Sequence, residues 1–490
     1  MRAAIGAQWV VTDPKKLRDS YVDQRSIVGP DAAAPAAAVI PDGVDDVRSL
    51  LAIANDHQVA LWPLVGSGSY ASASAPGAIV LDPRRMNRII EVNEMFAYAL
   101  VEPGVTYAQL HNRLAGGKPQ LWLDCASLEA GSLVADTLDR SFGHTPYADH
   151  VMMQCGMEVV LPDGSVVKTG MGAMPHSSSW QLFKYGYGPH TDGAFTQSSL
   201  GIVTKMGIWL MPAPPASKPF MITVPREDDL TALSEALRPL KVTMTIPNTI
   251  IVSHILREAA LAGPRSRYYS GTGMVPDSVV TKIATDMNRG VWNVYASLYG
   301  LPVGIDAAWK VIRDRVGGAV PGARFFSGDD RKDDKVWNYR AIMMSGVPSI
   351  SPSPVADWMG GGRVEVTQIV PLTGSDVAGS FQIAKRISSQ HGFDFLGQFV
   401  ATWRTANAAN IVSFDPHSAD ERSRARECVT AIITEMAAAG YGTVTADPEL
   451  REKVIATYSA HDGALWNIHR KIKNELDPRA VVAPGIPATT

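Results

Sequence analysis

The stretch from Leu121 to Leu210 limits the possible folds most. Met157–Leu161 and Ser165–Thr169 flank Pro162-Asp163-Gly164, a tight hairpin signal. Ile202–Leu210 alternates apolar and polar side chains, as a half-buried strand does. Around them lie glycine- and serine-rich runs, LWLDCASLEAGSLVADTLDRSFGHTPYADH (Leu121–His150) and YGYGPHTDGAFTQSSL (Tyr185–Leu200). Hairpins joined by such runs do not build a regular βαβ array. Upstream, Val44, Val47, Leu50, Leu51 and Ala54 fall on one helical face after Pro41-Asp42-Gly43, so the chain is not an all-β repeat either. With short strands expected at Ile79–Leu81 and Tyr98–Val101, the pattern reads as α+β.

Beyond Leu210 the sequence changes character. Pro212-Ala-Pro-Pro-Ala-Ser-Lys-Pro219 reads as a linker. Helices are expected at Asp229–Leu240 and at Glu427–Ala439, the latter ended by Gly440, with strands at Arg363–Val370 and Asp394–Val400. A chain of 490 residues has room for two or three domains. The net charge of −3 gives no basis for a nucleic-acid or acidic-membrane partner. Three scattered cysteines, Cys125, Cys155 and Cys428, argue against a disulfide framework or a zinc site and suit a reducing compartment. No run approaches the ~20 apolar residues of a membrane span, and the N-terminal apolar run is too interrupted for a signal peptide. Cytoplasm is the expected location.

The loop PLVGSGSYASASAP (Pro63–Pro76) lies between the amphipathic helix and a strand. Its small residues let backbone N–H groups approach an anion closely, as a diphosphate requires. It is neither a Walker loop nor a GxGxxG fingerprint. Followed by MNRIIEVN (Met86–Asn93), VEPGVTY (Val101–Tyr107) and the runs above, it resembles the flavin domain of the vanillyl-alcohol oxidase / p-cresol methylhydroxylase family, in particular the branch that oxidises para-substituted phenols. The resemblance implies a two-domain FAD-binding fold: an FAD-binding domain at 1–219, a substrate-binding cap at 220–440 and a C-terminal segment at 441–490 returning to the FAD domain. LDPRAVVAPG (Leu476–Gly485) resembles the returning segment. It further implies FAD contacts at Val65, Gly66, Ser67, Gly68, Ser69, Tyr70, Pro103, Gly104, Ala126, Ser132, Asp136, Thr137, Gly143, Ile202 and Val203.

Around the reacting carbon the chain departs from the family. Tyr70 is retained, but the family's Pro-Asp reads Ala126-Ser127, its Tyr-Thr-Pro-Tyr reads His144-Thr145-Pro146-Tyr147, and its Tyr-Arg reads Val444-Thr445. In the family two tyrosines and the arginine hold a phenolate, so a site without them is expected to stabilise that anion much less. Tyr70, Ser127, His144 and Arg404 are the candidate catalytic residues. His144 is either a hydrogen-bond donor or base for an alcohol, or a satisfied polar residue near the flavin. Ser127 either positions a ligand or only makes room, and Trp403 and Arg404 either face the flavin or are structural. A metal at His144, Asp149 and His150 is not expected, because a third clear ligand is missing. Many family members attach FAD through a histidine in Arg-x-Met-His-His; Arg404-Thr-Ala-Asn-Ala408 has none, so noncovalent FAD is expected.

The expected activity is hydride transfer from a benzylic, allylic or related alcohol-bearing carbon of an aromatic small molecule to flavin N5. The rivals are an oxidase or hydroxylase of a para-substituted phenol with a rearranged pocket, and a degenerate flavin-binding protein. The electron acceptor would be O2, a quinone or a redox protein, with a dehydrogenase favoured because Ala126 replaces a proline. By resemblance the assembly would be a homodimer or larger.

Overall fold

A computed structural model describes residues 1–30, 32–64, 77–117, 120–125 and 130–484. The helix Val44–His57 buries Val47, Leu50, Leu51 and Ala54, the stripe legible in the sequence. Burying each leucine contributes about 1.5–3 kcal/mol. This helix covers a four-stranded sheet ordered Val10–Val11, Ala37–Val39, Ile79–Leu81, Leu61–Pro63, whose last three strands are parallel. Beside it a five-stranded antiparallel sheet runs Ile89–Asn93, Tyr98–Val101, Ile202–Trp209, Gln154–Val160, Val166–Lys168. The expected hairpin across Pro162–Gly164 pairs Val160 with Val166.

The third sheet has eight antiparallel strands: Arg324–Ser327, Ala216–Val224, Trp292–Gly300, Ile250–His254, Leu396–Ala401, Thr405–Phe414, Gly362–Pro371 and Thr443–Ala446. Two expectations change here. The segment read as a linker is strand from Ala216 onward; Pro219 lies just outside the stretch that pairs with Arg324–Ser327, where a strand edge tolerates a residue without an N–H. The helix expected from Glu427 begins at Ala419, where Ser418 Oγ accepts from Glu421 N, a capping signal in the sequence. The sheet also extends beyond residue 440, to Thr443–Ala446. The chain then returns. Leu61 N donates to Val481 O at 2.8 Å, and the buried Lys473 ammonium bonds Ser199 O, Val482 O and Asp477.

One face of the eight-stranded sheet packs under helices through Val252, Val294, Phe399, Ala408 and Val366. Side chains alternate along each strand, so their neighbours point the other way. Register places Met221, Tyr295, Ile251, Val400, Asn407 and Ile369 in one row on that second face.

Candidate functional site

Asp124 follows the short strand Leu121–Trp122 and is buried. Its Oδ1 accepts from His144 N at 3.1 Å and Thr145 N at 2.6 Å, and its Oδ2 meets His150 Nε2 at 2.8 Å. The carboxylate thus fixes the turn that carries His144. A Cβ on Gly143 would lie 1.4 Å from Asp124 Oδ2, so glycine is the only residue that lets this contact close. From the other side, Asn248 Nδ2 donates to His144 O and Thr249 Oγ1 to Gly143 O, both at 2.8 Å. Asn248 Oδ1 in turn accepts from Ser297 N at 3.1 Å. The turn is therefore clamped between the N-terminal half and the eight-stranded sheet. Tyr299, on the same face as Tyr295, has its ring centre 6.3 Å from that of Trp122, two residues before Asp124, so the Asn407-bearing face is the one turned toward this clamp.

Burial holds the His144 imidazole down at about 4; Asp124 opposes this, while Arg340 and His150 add to it. Its Nδ1 is enclosed with no hydrogen-bond partner. His150 behaves oppositely: burial lowers it, but the hydrogen bond and charge of Asp124 outweigh that and raise it. Asn407 Oδ1, on the second face of the eight-stranded sheet, is another enclosed atom without a partner. A small cleft beside Asp124, within the N-terminal half, is lined by Tyr107, Leu123, Asp124, Tyr147, His150 and Trp209.

The expected site residues divide into groups. Gly143 and His144 meet at the clamp. Ser132, Asp136 and Thr137 belong to one helical segment beside it: Ser132 Oγ donates to Pro103 O at 2.6 Å and caps the helix Leu133–Leu138, Tyr107 Oη donates to Asp136 Oδ2 at 2.9 Å, and Thr137 Oγ1 donates to Leu133 O. Gly104 packs where a Cβ would lie 2.4 Å from Pro83 O, which explains its glycine by backbone contact alone. Ile202 and Val203 are buried core residues of their strand. Arg404 is exposed in the turn between Leu396–Ala401 and Thr405–Phe414, while Trp403 beside it lies under the Lys241 ammonium. Val444 and Thr445 lie on the outer strand of the eight-stranded sheet, where Val444 O accepts from Gln197. Val65, Gly66, Ser67, Gly68, Ser69, Tyr70, Ala126 and Ser127 lie outside the described residues.

Asp124, His150, Asn248 and Thr249 escaped the sequence reading. Asp149-His150 had drawn notice only as a poor metal pair, and among the described residues no group of three or more acidic, histidine or cysteine side chains forms a metal site. No helix among them is long and apolar enough to cross a membrane.

An FAD binding domain family model matches residues 35–170. The chain is 36% identical over 461 residues to the flavoprotein subunit of 4-cresol dehydrogenase (hydroxylating) from Pseudomonas putida, covering 93% of this chain and 88% of that one. A crystal structure of p-cresol methylhydroxylase with substrate bound superposes with a TM-score of 0.95 at 35% identity, covering 100% of this chain and 95% of the other. The 4-ethylphenol oxidase of Gulosibacter chungangensis gives a TM-score of 0.95 at 33% identity, covering 99% and 95%. The α+β architecture, the FAD module and similarity along nearly the whole length agree: the chain belongs to the vanillyl-alcohol oxidase / p-cresol methylhydroxylase family of FAD-dependent oxidoreductases.

Proposed function

We propose that this oxidoreductase removes hydride from the ring-attached carbon of a phenolic or related aromatic substrate, and in its most specific form from a benzylic or allylic carbon bearing an alcohol. The observation that carries the reading is His144: an imidazole with an enclosed, partnerless Nδ1, held by its backbone from both halves of the molecule. The relatives named above act on 4-cresol and 4-ethylphenol, which supports an aromatic substrate of that size.

The described residues fit FAD in one testable respect. His144 Nδ1 and Asn407 Oδ1 are unsatisfied atoms, the second on the sheet face turned toward the clamp, and buried polar atoms want partners such as the hydrogen-bonding edges of a bound ring system. Pro103, Gly104, Ser132, Asp136, Thr137, Gly143, Ile202 and Val203, with the loop Val65–Tyr70, would hold the cofactor, noncovalently. When bound, FAD supplies the hydride acceptor.

Held at about 4, the imidazole is neutral at neutral pH. Such a weak base orients a hydroxyl better than it stores its proton. The Asp124 clamp fixes the turn and hence the direction of that hydrogen bond. Tyr70 and Ser127 would complete the contacts from the FAD side. A rearranged pocket for a para-substituted phenol is the second reading, favoured by Arg340, whose charge reaches His144.

Anaerobic mixing of the purified holoenzyme with a panel of aromatic alcohols and para-alkylphenols tests this. Rapid bleaching of the flavin by a benzylic or cinnamylic alcohol is expected. If none of the panel bleaches it, the reading fails.

A further inference from the structure

Two cap helices, Ile255–Ala262 and Lys335–Met343, flank the Asn407-bearing face of the large sheet. They carry a buried charge cluster. Arg340 Nη2 donates to Glu258 Oε1 at 2.7 Å, and its guanidinium lies 4.4 Å from the centre of the Tyr295 ring, a member of the face row. Tyr295 Oη bonds the same carboxylate, and Arg289 Nε stands 3.6 Å from it. Arg289 and Arg331 share Asp334 at 2.9 and 2.7 Å. Three guanidiniums therefore face two carboxylates, leaving one positive charge enclosed.

Arg257 adds another. Its Nη1 donates to Leu396 O at 3.2 Å and its Nε is enclosed without a partner. Among the described residues no carboxylate comes within 4 Å of it, whereas Arg289, Arg331 and Arg340 each have one. Burial draws Arg257 below the usual arginine range; Glu365 opposes this and the charge of Arg340 adds to it. A cation taken partly out of water without a counter-ion is unfavourable unless an anion joins it. The family position that would bring a cation from the other side holds Val444 and Thr445.

We propose that Arg257, with Arg340 beside it, is an anion subsite on the sheet face turned toward His144, and that it receives the ionised oxygen of the substrate, a phenolate or a ring carboxylate. This rests on the aromatic-substrate reading above. Among the described residues Arg257 has no carboxylate within 4 Å, so removing its charge breaks no ion pair and costs only its longer-range attraction to Glu365 and Glu258.

The test compares wild-type holoenzyme with Arg257→Gln and Arg257→Lys, using 4-nitrophenol, benzoate and the neutral 4-nitroanisole as probes. Binding is read from the perturbed flavin and nitrophenol absorbance. In wild type at least one anion should bind roughly 10- to 100-fold tighter than nitroanisole, the scale of a charge-assisted hydrogen bond. Arg257→Gln should abolish that preference while leaving nitroanisole affinity within about twofold, and Arg257→Lys should retain part of it. Loss for nitrophenolate marks a phenolate site; loss for benzoate marks a carboxylate site. An unchanged anion preference in Arg257→Gln, or none in wild type, overturns the proposal. Should Arg257→Gln fail to hold flavin, the pH profile of nitrophenol binding to wild type decides: affinity must rise as the phenol ionises, and a flat profile overturns it. Anion preference without flavin reduction by any aromatic alcohol would sink the substrate reading and spare the subsite. Reduction without anion preference would do the reverse.

Discussion

Gly143→Ala is the sharpest perturbation available. The added methyl would occupy a point 1.4 Å from Asp124 Oδ2 and 2.4 Å from its Cγ, so the carboxylate must leave. Its departure breaks the contact with His150 and strains or breaks those with His144 N and Thr145 N. Each is a hydrogen bond to a charged group, worth about 1.5–3 kcal/mol, and a displaced buried carboxylate adds its own desolvation penalty. Partial relaxation recovers some of this, so the expected loss is about 3–5 kcal/mol, at the severe end for a single substitution. Gly304→Ala is the control. Gly304 lies inside the helix Pro302–Ala319 with open space where its Cβ would go, and alanine there should be neutral or stabilise by up to ~1 kcal/mol. Urea unfolding followed by tryptophan fluorescence, with flavin content measured on the same samples, separates the two. A Gly143→Ala protein that unfolds with Gly304→Ala and reduces its flavin at the wild-type rate would refute the clamp.

The remaining expectations concern acid, the cofactor bond and oxygen. His144 sits at about 4 when folded against ~6.5 unfolded, so the unfolded chain takes up the proton first and stability falls as pH drops below ~6.5. The His144 residue is partly exposed although its Nδ1 is enclosed, so the discounted difference is about 1–2 kcal/mol. His144→Gln should lose that much less stability than wild type between pH 7.5 and 5, and parallel losses in paired urea melts would count against a buried neutral imidazole. Acid or heat should release all the flavin, because Asn407 and Ala408 offer no histidine; fluorescence persisting on the polypeptide in a denaturing gel would show a covalent bond. Reoxidation of the reduced enzyme by air should be slow and should accelerate in Ala126→Gly, as stopped-flow absorbance will report; fast reoxidation unchanged by the substitution would remove the case for a dehydrogenase.

The elements most legible in the sequence were those whose signals are local. The Val44–His57 stripe, the Pro162–Gly164 hairpin and the strands Ile79–Leu81 and Tyr98–Val101 each rest on a periodicity or turn chemistry contained in a few residues. Where two local signals competed, the sheet won. The prolines around Pro215 suggest a linker, yet Ala216–Val224 pairs with Trp292–Gly300 along its whole length. The site divides the same way. His144 stood out because it interrupts a family motif, and Gly143 because the resemblance implied a cofactor contact there. Asp124 and His150 are 26 residues apart, and Asn248 is 104 residues from the carbonyl it holds, separations at which no sequence period operates.

Asn248, Arg257 and Arg340 were illegible for a further reason. A polar residue beside an apolar strand, or an arginine on a helix, is ordinary on a surface, and only register reveals which face it meets. Tyr295, Ile251, Val400 and Asn407 share a row because four strands from distant parts of the chain align there. Once that face is identified, charge becomes informative. The N-terminal half contributes a fixed, neutral imidazole, and the helices on the large sheet contribute Arg289, Arg331 and Arg340 against Glu258 and Asp334. On the proposed reading, hydrogen-bond direction would come from His144 and anion preference from Arg257. A substrate that satisfies both would have an oxygen near each, with its reacting carbon held between them. Substitutions at His144 should therefore alter the reduction rate of neutral alcohols, whereas substitutions at Arg257 should alter the affinity for anions.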